Sequence, residues 1–206
     1  MKLGQACAAI AAARNQHAPQ SPLVTTMSAQ FAFDLIGETA RRIDSVPLMG
    51  GAAGLGLGIA LAKPALPVIV VDGDASLLME LGGLVTVAHN KPRHFVHIVV
   101  HNGAQFNGLV NLPTAGTEPT CDFAGMARAA GYDRALRIDS LPALAEALPQ
   151  WLAEAGTTFV ELVVEADPRR VGNEAPQPLL PDRQFMRMRL ALRQLRAALN
   201  DEPAHE

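Results

Sequence analysis

Short apolar runs alternate with stretches of helical period along most of the chain. PLVTT (22–26), PVIVV (67–71), HFVHIVVH (94–101), RALRI (134–138) and TFVELVVE (158–165) read as strands. Residues 3–14, 31–42, 52–62, 77–89, 122–130 and 141–154 read as helices. PVIVV shows no polar alternation, which suits a strand covered on both faces. Strands that alternate with helices in this way predict an α/β fold. The expected architecture is a doubly wound, mostly parallel sheet with helices on both faces.

The tail leaves that rhythm. PRRVGNEAPQPLLP (168–181) holds four prolines in fourteen residues and predicts an extended arm. Beyond it, Phe185, Met188, Leu192, Leu195 and Leu199 recur at helical spacing, with arginines on much of the other face. That helix either docks on its own domain or packs on a partner subunit. The expected division is therefore a domain over 1–167 and an arm with an amphipathic helix over 168–206.

Composition narrows the function classes. The chain has 206 residues, 49% of them hydrophobic, which suits one sizeable α/β domain. A net charge of −3 and only 4% aromatic residues give no basic footprint and few stacking platforms, so nucleic acid is not an expected partner. Cys7 and Cys121 have neither metal-ligand spacing nor a disulfide framework, so both are expected to be inert thiols in a reducing cytoplasm. The Ala-rich start, bracketed by Gln5 and Arg14, reads as a soluble helix rather than a signal peptide. No run approaches the length of strongly apolar residues that spans a bilayer, so no membrane partner is expected.

Candidate chemistry concentrates in VVDGDASLLMELGG (70–83). In open parallel sheets, ligands bind beyond the carboxyl ends of the strands. There Gly73 is expected to let the chain turn and Asp74 to present a carboxylate. Ala75 and Ser76 open a helix whose first N–H groups can hold a phosphate. The next strand ends in HNGAQFNG, where Asn102 offers an amide oxygen, Gly103 a bend and Ala104 a carbonyl. Carboxylate, amide and carbonyl oxygens form a hard donor set of the kind Mg²⁺ takes. A buried Asp74 would then be tolerated because a cation, itself bound to a phosphorylated ligand, neutralises it.

GDAS followed by HNGA, with Asp74 and Asn102 separated by 28 positions, resembles the motif of thiamine-diphosphate-dependent enzymes. In that motif Gly-Asp-Gly is followed, after a spacer of similar length, by Asn-Asn. LMGGAAGLGLGIALAKP, VVDGDASLLMELGGLVTVA, HIVVHNGA and LPTAG resemble, in order and spacing, the diphosphate-binding half of sulfopyruvate and phosphonopyruvate decarboxylases. The likeness covers residues 22–165 and has two departures: Ala75 replaces the second glycine, and His101 replaces the first asparagine.

The resemblance implies a thiamine-diphosphate-binding fold, with thiamine diphosphate and Mg²⁺ as cofactors. It implies metal ligation by Asp74, Asn102 and the carbonyl of Ala104. Cofactor contacts are implied for Met49, Gly50, Gly73, Asp74, Ala75, Ser76, Asn102, Ala104 and Asn107. Met49 is either a core side chain or the bulky apolar residue that bends the cofactor. Asn107, Gly108 and Thr114 fall in a loop expected to order over the ligand. The glutamate that activates the pyrimidine ring belongs, in the resembled family, to a separate pyrimidine-binding domain. Only some fifty residues precede the diphosphate site here, so that glutamate is expected from an α-type partner subunit, in a hetero-oligomer such as α2β2. No catalytic residue is assigned within this chain. The implied reaction is decarboxylation of a small 2-oxo acid to carbon dioxide and an aldehyde. Carboligation of the acetolactate-synthase kind and a non-catalytic cofactor-binding subunit stand as alternatives.

Other readings of the same residues are weaker. Gly54, Gly56 and Gly58 suggest a dinucleotide fingerprint, but that motif needs a strand immediately before its glycines, and IDSVPLM supplies a poor one. In its place, the alternating glycines are expected to allow close helix packing. His94, His97 and His101 lie on or beside one strand, without a clear third ligand for zinc. Asp72 reads as a turn acid, Glu80 as a helix-face acid, and His89 and His94 as surface or loop residues.

Overall fold

The computed structural model describes residues 1–46, 48–105, 110–111, 121–165 and 183–200. Its main sheet has six strands: β1 (Leu23–Thr25), β2 (Arg42–Asp44), β3 (Val68–Gly73), β4 (His94–His101), β7 (Arg134–Ile138) and β8 (Gly156–Val163). They lie in the order β2-β1-β3-β4-β8-β7, and every neighbouring pair is parallel. A small antiparallel pair, β5 (Ala104–Gln105) and β6 (Val110–Asn111), stands apart.

Parallel strands need crossovers, and the helices that provide them divide between the two faces. On one face α1 (Leu3–His17), α2 (Met27–Leu35) and α7 (Leu141–Ala153) pack Ile10, Phe33, Leu144 and Trp151 onto Ile69, Val71, Val96, Ile98 and Val100. On the other, α3 (Ala52–Ala62), α5 (Gly83–Asn90), α6 (Phe123–Ala130) and α8 (Arg183–Asn200) pack Leu57, Leu84, Phe123 and Leu195 onto Val68, Val70, Phe95 and Val99. Successive residues of β3 and β4 thus serve opposite faces, and both faces are covered. That is why all six residues of β3 are buried and its sequence shows no polar alternation.

The sequence reading holds most closely for α3, β4 and β7, which have the bounds expected of them. Two helices need correction. The helix expected over 31–42 is α2 (Met27–Leu35) followed by strand β2. Gly37, at φ +72°, takes the chain out of the helix, and β2 has one apolar residue among three, too little to signal a strand. The helix expected over 77–89 is two helices, α4 (Asp74–Met79) and α5. The break falls at residues 80–82, just before Gly83, where a glycine pair weakens the helix interior.

α1 is part of the core: Ala6, Cys7, Ile10 and Ala11 are buried. Burial pushes the Cys7 thiol up to about 12, with Arg42 opposing, so it is a poor nucleophile. α8 lies against β2 and buries Leu195 and Leu199, while Phe185 and Leu192 of the same expected stripe stay exposed. Arg187 fastens this helix by bonding Asp34 at 2.9 Å and Asp44 at 3.2 Å, the same two carboxylates that pair with Arg42. No helix among the described residues is long and apolar enough to cross a membrane.

Candidate functional site

The strand order reverses direction of travel at β1 and β3: the chain leaves β1 toward β2 and leaves β3 toward β4. Such a switch point opens a crevice at the carboxyl ends of the strands. Asp74 stands there as the first residue of α4, directly after β3, and is only 2% exposed. Asn102 follows directly on β4 and is half-buried.

The two strand ends are joined. Asp74 Oδ2 accepts the Gly103 N–H at 2.7 Å, and Asp74 Oδ1 accepts the Ala75 N–H at 2.8 Å. Gly103 has φ +63°, so the bend expected of it is present and is one that glycine adopts without strain. Asn102 Oδ1 accepts the Ala104 N–H at 3.0 Å. Burial raises the Asp74 carboxyl above its ordinary range, against the Gly103 and Ala75 N–H bonds and the nearby His101, which all lower it. The carboxylate is thus short of compensating charge, and each of its oxygens keeps a second lone pair for another partner. A divalent cation fits that deficit, and the neighbouring Asn102 amide oxygen supplies a second hard donor.

Two expectations need adjustment. Gly73 sits at φ −118° and ψ 155°, extended backbone open to any residue, and a Cβ there would meet only Met27 Cβ, at 3.9 Å. The tight turn is not what calls for glycine at this position. The Ala75 N–H is not free, because it already serves Asp74. With only six residues, α4 also lends little dipole. Ser76 is the stronger donor: its buried hydroxyl accepts the Gly50 N–H at 2.7 Å, which leaves its own hydrogen to give.

Gly50 is tightly specified. It adopts φ +85°, and a Cβ there would stand 2.5 Å from Glu80 Cβ. Glu80, read from the sequence as a helix-face acid, is the C-cap residue of α4 and packs on this glycine. Met49, half-buried, lies beside it on the loop between β2 and α3. Leu48 (61% exposed), which lies against Gly51, and Met79 (49%) and Leu81 (37%), the chain neighbours of Glu80, are apolar side chains left uncovered beside it. Asn107, Gly108 and Thr114 lie outside the described residues, as does the arm over 168–181.

The histidines do not converge. His97 Nδ1 meets the Tyr132 hydroxyl at 3.1 Å, and its Nε2 lies 3.9 Å from Asp72 Oδ2. Asp72, expected as a turn acid, lies buried inside β3, where it accepts the Gly73 N–H. His101 Nδ1 meets Glu161 Oε1 at 2.8 Å. Among the described residues, no group of three or more His, Cys, Asp or Glu could hold a metal ion. Of the three alternating glycines, only Gly56 makes a close approach, with a would-be Cβ 2.4 Å from Val70 Cγ2; all three lie inside α3.

Two residues of this region escaped the sequence reading. Met27 follows β1 at φ +54°, a rare conformation for a residue with a side chain, and packs near Gly73. No sequence signal marks it, since methionine carries no turn preference. Glu161 is a wholly buried carboxylate on β8. A single charge inside the apolar run TFVELVV (158–164) was the available clue.

The chain is 42% identical over 121 residues to phosphonopyruvate decarboxylase of Streptomyces viridochromogenes, a match that covers 58% of this chain and 29% of that protein. It is 32% identical over 112 residues to sulfopyruvate decarboxylase subunit beta of Methanococcus maripaludis, covering 54% of this chain and 58% of the relative. The chain therefore spans under a third of the first relative's length and a little over half of the second's. In fold it matches a putative thiamin diphosphate-dependent enzyme from Mycobacterium smegmatis with a TM-score of 0.58 at 24% identity, over 78% of this chain and 31% of that one. Residues 24–162 match the family described as thiamine pyrophosphate enzyme, C-terminal TPP binding domain, a stretch that begins in β1, ends in β8 and holds both Asp74 and Asn102; the chain belongs to that family.

Proposed function

We propose that this chain is the diphosphate- and metal-binding part of a thiamine-diphosphate-dependent 2-oxo acid decarboxylase acting on a 3-substituted pyruvate such as sulfopyruvate or phosphonopyruvate. The observation that carries the reading is the meeting of Asp74 and the Asn102–Gly103 turn at the carboxyl ends of β3 and β4, where a buried carboxylate lacks compensating charge. Asp74, Asn102 and the Ala104 carbonyl would hold Mg²⁺. The Ser76 hydroxyl and the N–H groups near it would bind diphosphate, and Met49 would set the shape of the bound cofactor. When bound, thiamine diphosphate supplies an electron sink that lets a 2-oxo acid lose carbon dioxide.

The pyrimidine-activating glutamate would come from an α-type partner subunit. The name of the Methanococcus relative, a subunit beta, supports this arrangement. The uncovered apolar side chains Leu48, Met79 and Leu81 support it too, because they lie beside Gly51 and Glu80 next to the crevice, where a second unit would close. The domain division at residue 167 and a cytoplasmic location belong to the same reading.

Co-purification of the chain with its partner, followed by calorimetry with Mg²⁺ and thiamine diphosphate, tests the cofactor assignment. Asp74→Ala should remove both binding and turnover in the complex, and unchanged turnover would refute the metal site. Product analysis against a panel of 2-oxo acids should give an aldehyde and carbon dioxide. A new carbon–carbon bond would make the protein a carboligase instead.

A further inference from the structure

A row of polar contacts crosses four neighbouring strands at the crevice end of the sheet. It starts at Arg137 on β7, whose guanidinium meets Glu161 Oε1 on β8 at 3.1 Å. The same Glu161 oxygen meets His101 Nδ1 on β4 at 2.8 Å, and Glu161 Oε2 accepts the Ala124 N–H of α6 at 3.1 Å. His101 is the residue before Asn102, and the Gly103 N–H beyond it closes on Asp74 after β3. Glu161 is fully buried and His101 is 6% exposed, with its ring edge-on to Phe123 at 5.2 Å.

A buried carboxylate is retained only where its partners offset desolvation. Burial pushes Glu161 up, but the His101 bond, the Ala124 N–H and Arg137 together outweigh it and leave the carboxyl below its ordinary range. It is therefore an acceptor on both oxygens, which places the His101 ring proton on Nδ1. The ring is held from one side by this bond and from another by Phe123, so the end of β4 has little freedom to rotate.

We infer that Glu161 is a positioning residue for the Asp74–Asn102 donor set, acting through His101, whose clamped ring fixes the backbone from Asn102 to Gly103. The inference rests on the metal-site reading above for its consequence, but not for its geometry. Partners of this outer kind change metal affinity by roughly 10–100-fold when removed. They do so without touching the ion.

The test uses the chain in complex with its co-purified partner and three variants of it: Glu161→Gln, His101→Gln and the pair. Two readouts are taken. One is the Gly103 amide proton by NMR, expected downfield in the wild type because its N–H donates to a carboxylate at 2.7 Å. The other is uptake of Mn²⁺ with thiamine diphosphate, followed by electron paramagnetic resonance of the free ion. Each single variant should move the Gly103 resonance upfield and weaken uptake about tenfold, and the double variant should be no worse than either single. Additive losses, or an unmoved Gly103 resonance beside a lowered melting temperature, would show a merely structural carboxylate and overturn the inference. If Glu161→Gln does not fold, His101→Gln decides by the same two readouts, since it keeps Glu161 paired with Arg137 and Ala124. If the wild type takes up no Mn²⁺ with thiamine diphosphate, the metal-site reading fails. The Gly103 resonance then decides the positioning on its own: movement upholds it and constancy refutes it.

Discussion

Gly56 of α3 lies so close to Val70 of β3 that a Cβ on it would stand 2.4 Å from the valine Cγ2, with Phe95 3.3 Å away on the other side. Gly54 and Gly58, one helical step either way along the same motif, have nothing within 4 Å of such a carbon. The three glycines therefore separate by energy. Gly56→Ala should cost about 1–3 kcal/mol through overpacking. Gly54→Ala and Gly58→Ala should each add about 0.5–1 kcal/mol, the ordinary preference of a helix for alanine. Urea denaturation of the three variants checks the opposite signs.

Asp74 carries a pH prediction. Burial holds its carboxyl protonated to a higher pH than its ordinary 3.8. In the cofactor-free chain the folded state thus keeps this proton more tightly than the unfolded state, so the contribution of Asp74 to stability declines as pH rises from 3.8 through the raised value. A metal ligand must lose the proton. Uptake of Mg²⁺ with thiamine diphosphate should then strengthen as pH climbs through the same window and release a proton there. Calorimetry in two buffers of different ionisation enthalpy measures that release, and Asp74→Ala should abolish it.

Met27 reverses the usual order of alanine and glycine at a helix start. At φ +54° any residue with a Cβ carries about 1–2 kcal/mol of backbone strain. Met27→Ala loses the side chain and keeps the strain. Met27→Gly loses the same side chain and sheds the strain, less about 0.4–1 kcal/mol for the freer unfolded chain. Glycine should therefore be more stable than alanine at this position by up to about 1.5 kcal/mol. Alanine more stable than glycine here would mean that the backbone is relaxed.

Arg14 is a wholly buried cation on α1 that donates to the Ser21 carbonyl at 2.8 Å, Glu38 Oε1 at 2.9 Å, the Ala40 carbonyl at 2.7 Å and, more weakly, Asn15 Oδ1 at 3.3 Å. It pins the first helix to the chain segment that leads into β2. Arg14→Met should cost about 3–5 kcal/mol, because it leaves Glu38 charged and without its partner in a buried setting. Adding Glu38→Gln should recover part of that loss. A double-mutant cycle in urea reads the recovery directly.

The elements that could be read from the sequence are those whose local pattern and tertiary role agree. β4 is eight residues with five apolar side chains among three histidines, set between β3 and β8 in the sheet and buried along nearly its whole length, so pattern and burial say the same thing. The two strand ends that meet at the crevice were legible for the same reason: a carboxylate and an asparagine stand where buried runs stop. β2 was not legible, because Arg42 and Asp44 are drawn into a strand by pairing with β1 and by ion pairs with Asp34 and Arg187, none of which the local pattern shows. Nor could the sequence show that the Ala75 N–H turns back on Asp74, or that Gly73 needs no special backbone. Those are matters of a few tens of degrees in one turn. Glu161 went unread because a buried acid discloses its purpose only through its partners, which come from β4, β7 and α6.

The outermost strand on the β7 side has a bearing on solubility. A margin of this kind presents unpaired backbone groups that another molecule can extend, and such growth leads to fibrils. Here Arg134 reaches the Thr158 hydroxyl and the Ala155 carbonyl, and Arg137 tethers itself to Glu161, so two cations occupy a five-residue margin. The guanidinium that helps order the crevice also discourages strangers from zippering onto the sheet.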